Sequence, residues 1–226
     1  MITKTKTFLN EPYELYFKLL ENKNNKSKLL EIGAGTGQNT GFLIDMSYKV
    51  CATDISLEFL EVMNKKFHRC INFYTQYADM EKLPFTEESF DVVCSAGSLS
   101  YGDNEIVMNE IYRVLKPGGM FIAVDSLNNN PIYKFNRYIR YLKKERPKST
   151  LLRMPTICLI DKYAQKFIPV EIKYFGAITW IYPILKIILN EELISNFSNW
   201  IDTTFKIKKS AFKFVIKMVK KNKIQG

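Results

Sequence analysis

Apolar and polar residues alternate along this chain in two rhythms. Short apolar runs stand at Leu29–Ile32, Lys49–Asp54, Ile71–Tyr77, Phe90–Ser95 and Met120–Asp125. Runs of that length, rich in branched residues, predict buried strands. Between them lie segments with apolar residues three and four apart, which predict helices over Asn39–Met46, Ile55–Phe67 and Asn104–Leu115. Lys116-Pro117-Gly118-Gly119 is expected to stop the last of these in a turn. Strictly alternating strands and helices predict an α/β fold: a Rossmann-like open sheet, mostly parallel, with helices on both faces.

The two ends of the chain depart from this rhythm. Tyr13, Leu15, Tyr16, Phe17, Leu19 and Leu20 predict one helix, broken at Asn22 to Asn25. After Asp125 the sequence turns rich in Asn, Arg, Lys, Tyr and Pro, and short helices are expected over 126–167. Val170–Phe175 predicts a strand and Trp180–Trp200 a partly helical apolar stretch; Trp180–Leu189 is expected to pack in the core, with a lid, a dimer surface or a lipid-facing patch left open. In Ser210–Met218, Phe212, Phe214, Ile216 and Met218 recur at every second position, so this segment is expected to be a strand. The expected organisation is an N-terminal helical cap (1–27), a cofactor-binding core (28–125), and a substrate-specificity insert with closing strands (126–226), all in one domain.

The first strand runs into Glu31-Ile32-Gly33-Ala34-Gly35-Thr36-Gly37. Glycines at alternate positions mark a turn where a Cβ would obstruct a ligand lying against the backbone. At the carboxyl end of the first strand of an open α/β sheet, that is a site for a nucleotide-type cofactor. The spacing is not the G-x-G-x-x-G of dinucleotide sites. Two acids follow at matching places: Asp54 ends the second strand, and Asp79 follows the third. A carboxylate there can accept from vicinal hydroxyls or from an exocyclic amine.

The remaining chemistry is sparse. Cys51, Cys70, Cys94 and Cys158 form no C-x-x-C pair and read as reduced, small hydrophobes. With His68 the single histidine, no metal site is expected. The net charge of +10 favours anionic partners. The bases are concentrated in Arg137–Arg153 and Lys206–Lys223. No apolar run reaches membrane-span length, and Met1–Thr7 lacks the apolar core of a signal peptide, so a cytoplasmic protein is expected.

Taken in order, these segments resemble the class I S-adenosylmethionine (SAM) methyltransferases, of the small-molecule type that includes quinone, sterol and sugar enzymes. Glu31–Gly37 is similar to motif I; Asp79-Met80-Glu81-Lys82-Leu83-Pro84-Phe85 resembles the D-x-x-x-L-P-F segment; Phe90-Asp91-Val92-Val93 resembles the fourth-strand motif. Arg113-Val114-Leu115-Lys116-Pro117-Gly118-Gly119 resembles the R-x-L-K-P-G-G turn. The resemblance spans about residues 28–125 and implies SAM as cofactor, with S-adenosylhomocysteine as product, and a C-terminal antiparallel strand. It implies cofactor contacts from Glu31, Gly33, Ala34, Gly35, Gly37, Asp54, Ile55, Leu57, Asp79, Met80 and Ser95. Asp54 would hold the ribose, Asp79 the adenine amine, and Ile55 and Leu57 the adenine faces.

An oxygen acceptor usually needs a base within reach. Tyr101, Asp103 and Asp125, after the fourth and fifth strands, are the catalytic candidates; many relatives place a histidine near Ser100 or Tyr101, and this chain has none there. Tyr133, Arg137, Arg140 and Arg153 are candidate acceptor contacts, since arginines can bind phosphate or carboxylate bidentately. Amino-methylating nucleic-acid enzymes of this fold carry a Pro-Pro-aromatic signature where this chain has Ser95-Ala96-Gly97-Ser98-Leu99, and carbon-5 cytosine enzymes carry a Pro-Cys pair that is absent here. The expected acceptor is therefore a small or carrier-linked molecule, first an oxygen of a sugar, phosphate or related metabolite, rather than nucleic acid. A quinone or isoprenoid acceptor at the membrane, a non-catalytic SAM-binding regulator, and peripheral membrane contact stay open.

Overall fold

The computed structural model describes residues 10–21, 27–46, 48–145, 147–205 and 207–222. Seven strands form one sheet: β1 (Lys28–Ile32), β2 (Lys49–Asp54), β3 (Phe73–Tyr77), β4 (Phe90–Ala96), β5 (Leu115–Ser126), β6 (Ile168–Phe175) and β7 (Lys213–Val219). Their spatial order is β3-β2-β1-β4-β5-β7-β6. The pairs among β1 to β5 are parallel. β7 runs antiparallel to both its neighbours, β5 and β6. The period-two pattern read in Ser210–Met218 thus forms an interior strand.

Helices cover both faces. α1 (Asn10–Leu20), α2 (Thr40–Asp45) and α3 (Leu57–Phe67) lie on one, burying Tyr16, Leu20 and Leu43 against Leu29, Val50, Val92, Ile122 and Val215. α4 (Asn104–Val114) and α7 (Ile157–Lys166) lie on the other, over Leu30, Val93, Phe121, Phe214 and Ile216. β1 is buried on both sides from Leu29 to Ile32, as a central parallel strand must be. The break expected at Asn22 to Asn25 falls outside the described residues.

Between β5 and β7 the chain also forms α5 (Pro131–Leu142), α6 (Lys148–Leu152), α8 (Tyr182–Ile188) and α9 (Glu191–Phe205). Two expectations need correction. Lys116–Gly119 does not sit in a free turn but lies within β5, where pairing with β4 slips from Phe90–Leu115 to Val92–Met120. Lys220 continues past β7 and captures these residues: Gly118 N–H donates to Lys220 O at 3.0 Å, and Lys220 N–H donates to Gly119 O at 2.8 Å. The second correction concerns Trp180–Leu189. Its helix α8 has no buried residue, so the segment is not core.

Candidate active site

The glycine turn joins β1 to α2 with Gly33, Gly35 and Gly37 all at positive φ, from +58° to +74°. The three are not equivalent. A Cβ on Gly33 would stand 2.4 Å from Ser98 Cβ, and one on Gly37 would stand 2.9 Å from atoms of Met63 and Phe67. Those two glycines permit packing within the protein. A Cβ on Gly35 would meet no protein atom within 4 Å, so its surface is open to a ligand.

Asp54 holds this turn from the neighbouring strand end. Its Oδ2 accepts from Gly35 N–H at 2.8 Å and its Oδ1 accepts from Ser56 N–H at 2.9 Å. Each oxygen keeps a further lone pair, and the residue stays half-exposed. Ser56 in turn caps α3, accepting from Phe59 N–H at 3.3 Å.

A cavity of about 400 Å³ opens here, lined by Gly33, Gly35, Asp54, Ile55, Ser56, Phe59, Ala78, Met80, Gly97, Ser98 and Tyr101. Of the residues singled out in the sequence for the cofactor, Gly33, Gly35, Asp54, Ile55 and Met80 line it. Leu57 does not; Phe59, four residues after Ile55, does. Asp79 lies on the exposed segment between the lining residues Ala78 and Met80, and its Oδ1 accepts from Glu81 N–H. Ser95 lies behind the wall: fully buried, its Oγ is 2.7 Å from Ser98 Oγ, which donates to Ile32 O at 3.0 Å. Ala34 and Gly37 serve the turn itself, through Ala34 N–H to Thr53 O and Gly37 N–H to Ala34 O.

Glu31 sits beneath the turn, on the α1–α2 face of a fully buried strand. Thr40 Oγ1 donates to its Oε2 at 2.6 Å. Burial pushes its carboxyl up to about 7, partly countered by the Thr40 bond. The Tyr16 hydroxyl, on α1, is buried nearby, beside the Cys94 thiol.

Among the candidate bases the structure separates three situations. Tyr101 is exposed and lines the cavity mouth. Asp103 caps α4, its Oδ1 accepting from Glu105 and Ile106 N–H. Asp125 is buried, with Oδ2 accepting from Leu99 N–H at 2.9 Å and Oδ1 from Ser126 N–H at 2.6 Å. Burial raises its pKa, and the two backbone donors partly offset that. Asp125 thereby ties the end of β5 to the 3-10 turn Leu99–Tyr101.

A second hollow of about 230 Å³ lies beyond β5, lined by Ser126, Tyr133, Asn136, Arg137, Arg140, Met154 and Phe212. Arg137 is a scaffold as well as a wall: 9% exposed, its Nη1 donates to Leu127 O at 2.9 Å and to Asn128 Oδ1 at 2.8 Å. Arg140 is exposed, 4.0 Å from Glu145. Arg153 lies apart from this hollow. Its Nη1 donates to Tyr101 O at 3.2 Å and pairs with Glu81 at 3.3 Å, clamping the cavity mouth.

An open sheet in this order, closed by an antiparallel strand and carrying a glycine turn against an acid at the next strand end, is the Rossmann-like fold typical of class I SAM-dependent methyltransferases. Residues 30–123 match the family described as methyltransferase domain. Over 105 residues the chain is 35% identical to the uncharacterised methyltransferase YodH of Bacillus subtilis, covering 46% of this chain and 45% of that protein. Over 124 residues it is 36% identical to a demethylmenaquinone methyltransferase of Chlorobaculum parvum, covering 54% and 50%. The chain spans about half the length of the curated relatives it matches. Its fold is similar to geranyl diphosphate C-methyltransferase of Streptomyces coelicolor, solved with Mg²⁺, geranyl diphosphate and S-adenosylhomocysteine: TM-score 0.69, 15% identity, 93% of this chain and 80% of that one.

Proposed function

We propose that the protein transfers a methyl group from SAM to a small or carrier-linked acceptor, with an oxygen of a sugar, phosphate or related metabolite as first choice. The observation that carries the methyl-transfer reading is the open surface of Gly35 beside the half-exposed Asp54, both lining one cavity. When bound there, SAM supplies an electrophilic methyl on a sulfonium.

The chain's own residues account for the rest. Asp54 has acceptor capacity left for two vicinal hydroxyls, and charge-assisted bonds of that kind are about twice as strong as neutral ones. Ile55 and Phe59 supply an apolar wall for a flat ring, with Met80 also lining the cavity. The Gly35 backbone allows close approach. The contribution to rate is chiefly alignment, for which effective molarities of roughly 10⁵–10⁸ M are attainable. Tyr101, at the mouth, is the candidate base that faces the cavity; Asp103 and Asp125 hold backbone amides and serve as positioning residues.

The preference for a polar acceptor rests on the hollow beyond β5, where Arg140 stands exposed beside Ser126, Tyr133 and Asn136. A quinone or isoprenoid acceptor is the second reading, favoured by the likeness to a demethylmenaquinone methyltransferase. Incubation with methyl-labelled SAM and an extract of the source cells tests both, beside an Asp54→Ala control. Label in a soluble sugar or phosphate fraction supports the first; label in the lipid fraction supports the second. Label in RNA overturns both. SAM binding without label transfer to any fraction favours a regulator over an enzyme.

A further inference from the structure

One helix between β5 and β7 presents its apolar stripe to solvent. In α5 the buried side chains are Tyr133 and Arg137. Phe135, Tyr138 and Leu142 are exposed, Phe135 at 63% and Leu142 at 60%. Their spacing of i, i+3 and i+7 sets them in a single stripe on the helix. Lys134 and Lys143, both exposed, flank that stripe on its two sides. A helix that turns an arginine inward and a phenylalanine outward has its apolar stripe committed to something other than the core.

The neighbouring elements also expose apolar side chains, without the flanking lysines. In α8, Ile187 is 83% exposed and Ile188 76%. α9 adds exposed Leu193, Phe197 and Trp200, the last two rings stacked 6.0 Å apart. Trp180, just before α8, is also exposed. α5 adjoins this region through Tyr133 Oη, which donates to Gly176 O at 3.4 Å. The surface borders the cofactor end of the sheet, because Phe175 and Ser126 both pair opposite Lys213.

Charge decides between occupants. Residues 126–153, which carry α5, hold 8 Lys and Arg against Glu145 alone, whereas residues 182–205, which carry α8 and α9, hold Lys186 against Glu191, Glu192 and Asp202. Glu145 lies 4.0 Å from Arg140, so the face of α5 is the basic one. A second copy of the chain would bring the same excess positive charge against it. An anionic surface matches it instead. Exposed apolar stripes edged by Lys and Arg bury into the headgroup boundary of bilayers, with Trp and Tyr at headgroup level and basic side chains on the phosphates.

We propose that the exposed face of α5 forms a docking surface for an anionic phospholipid bilayer. The surface sets the acceptor end of the sheet against the membrane, where a carrier-linked or apolar acceptor is met without leaving the lipid.

The test is co-sedimentation of the full chain with vesicles of phosphatidylcholine alone and of an equal mixture with phosphatidylglycerol. The expected result is binding to the mixed vesicles, weakened by salt. Phe135→Ser with Leu142→Ser should weaken it by about tenfold or more, while Ile187→Ser with Ile188→Ser, outside the proposed surface, should leave it unchanged. These side chains are exposed, so SAM affinity and melting temperature should be unchanged. Absence of binding to either vesicle overturns the proposal. So does binding that salt abolishes but Phe135→Ser with Leu142→Ser leaves intact, which is charge adsorption alone. A dimer in sedimentation velocity that Phe135→Ser with Leu142→Ser disperses assigns the face to a second copy. Vesicle binding is read without any methyl acceptor, so it fails or succeeds independently of the proposed reaction.

Discussion

The Oδ2 of Asp54 accepts the amide proton of Gly35 at 2.8 Å, so one carboxylate both shapes the glycine turn and faces the cavity the turn encloses. Structure and binding are coupled at that residue. Asp54→Ala should weaken SAM binding by more than about tenfold, as expected for losing hydrogen bonds to a charged group worth ~1.5–3 kcal/mol. It should also lower the melting temperature, since the amides of Gly35 and Ser56 lose their acceptor. Calorimetric titration and thermal unfolding check the two effects separately; unchanged SAM affinity refutes the ribose assignment.

Gly33 and Gly35 should respond differently to alanine. Gly33→Ala brings Cβ against Ser98 and should cost stability first, by more than the roughly 1–2 kcal/mol of a left-handed non-glycine residue. Gly35→Ala meets no protein atom, so its stability loss should stay near that strain while SAM affinity falls by much more. Parallel denaturation and binding measurements on both variants decide this. Equal loss of affinity at equal stability would mean that Gly35 does not face the ligand.

Glu31 makes stability depend on pH. Its folded pKa is raised from 4.5 to about 7, so the folded state keeps a proton that the unfolded chain releases. Its contribution is therefore fully present below 4.5 and is lost as pH rises through 7, by about 3 kcal/mol in all. In Glu31→Gln that component disappears. The difference in unfolding free energy between variant and parent should tilt toward the variant from pH 5 to pH 8. A difference independent of pH removes Glu31 from the account.

Arg137 and Arg140 line one hollow with different duties. Arg137→Ala strips Leu127 O of its donor and removes a cation lying 5.8 Å from the rings of Tyr133 and Phe212; about 2 kcal/mol of stability should go with it. Arg140→Ala lies on the surface and should change stability by less than about 0.5 kcal/mol. If the acceptor is anionic, Arg140→Ala raises its KM and leaves SAM affinity alone. An unchanged KM returns Arg140 to the solvated surface.

Tyr101→Phe tests the base. The ring and the cavity wall remain, and only the hydroxyl goes. Loss of about 10²-fold or more in kcat marks the phenol as the proton acceptor. Unaltered kcat makes Tyr101 a wall.

Much of this was legible in the chain because local pattern and packing agreed. The alternating Phe212, Phe214, Ile216 and Met218 gave β7, and the apolar run before Glu31 gave a strand buried on both faces. Where ligand-facing residues were chosen by nearness to a motif, geometry rearranged them. Ser56 caps α3, so Ile55 lies before the helix and Leu57 and Phe59 are its first and third residues; of these two only Phe59 lines the cavity. Ser95 was one turn of chain too early, and Gly97 and Ser98 form the wall. For α8 no sequence signal existed: Ile184, Leu185, Ile187 and Ile188 record that the segment is apolar, not what it faces. The same limit applies to Arg137, whose charge suggested a ligand while its position makes it a brace.

Leu127 N–H donates to Phe212 O at 2.8 Å. The chain leaves the sheet and returns to it at one hydrogen bond, with α5 to α9 and β6 strung between. Such a closed detour is a natural graft point. Its contents can be exchanged without touching the glycine turn or Asp54, provided the newcomer brings an edge strand for β7, a helix to cover Phe121 as α7 does, and a clamp for the cavity mouth in place of Arg153. Under the proposed function, a new acceptor is then acquired by replacing a cassette.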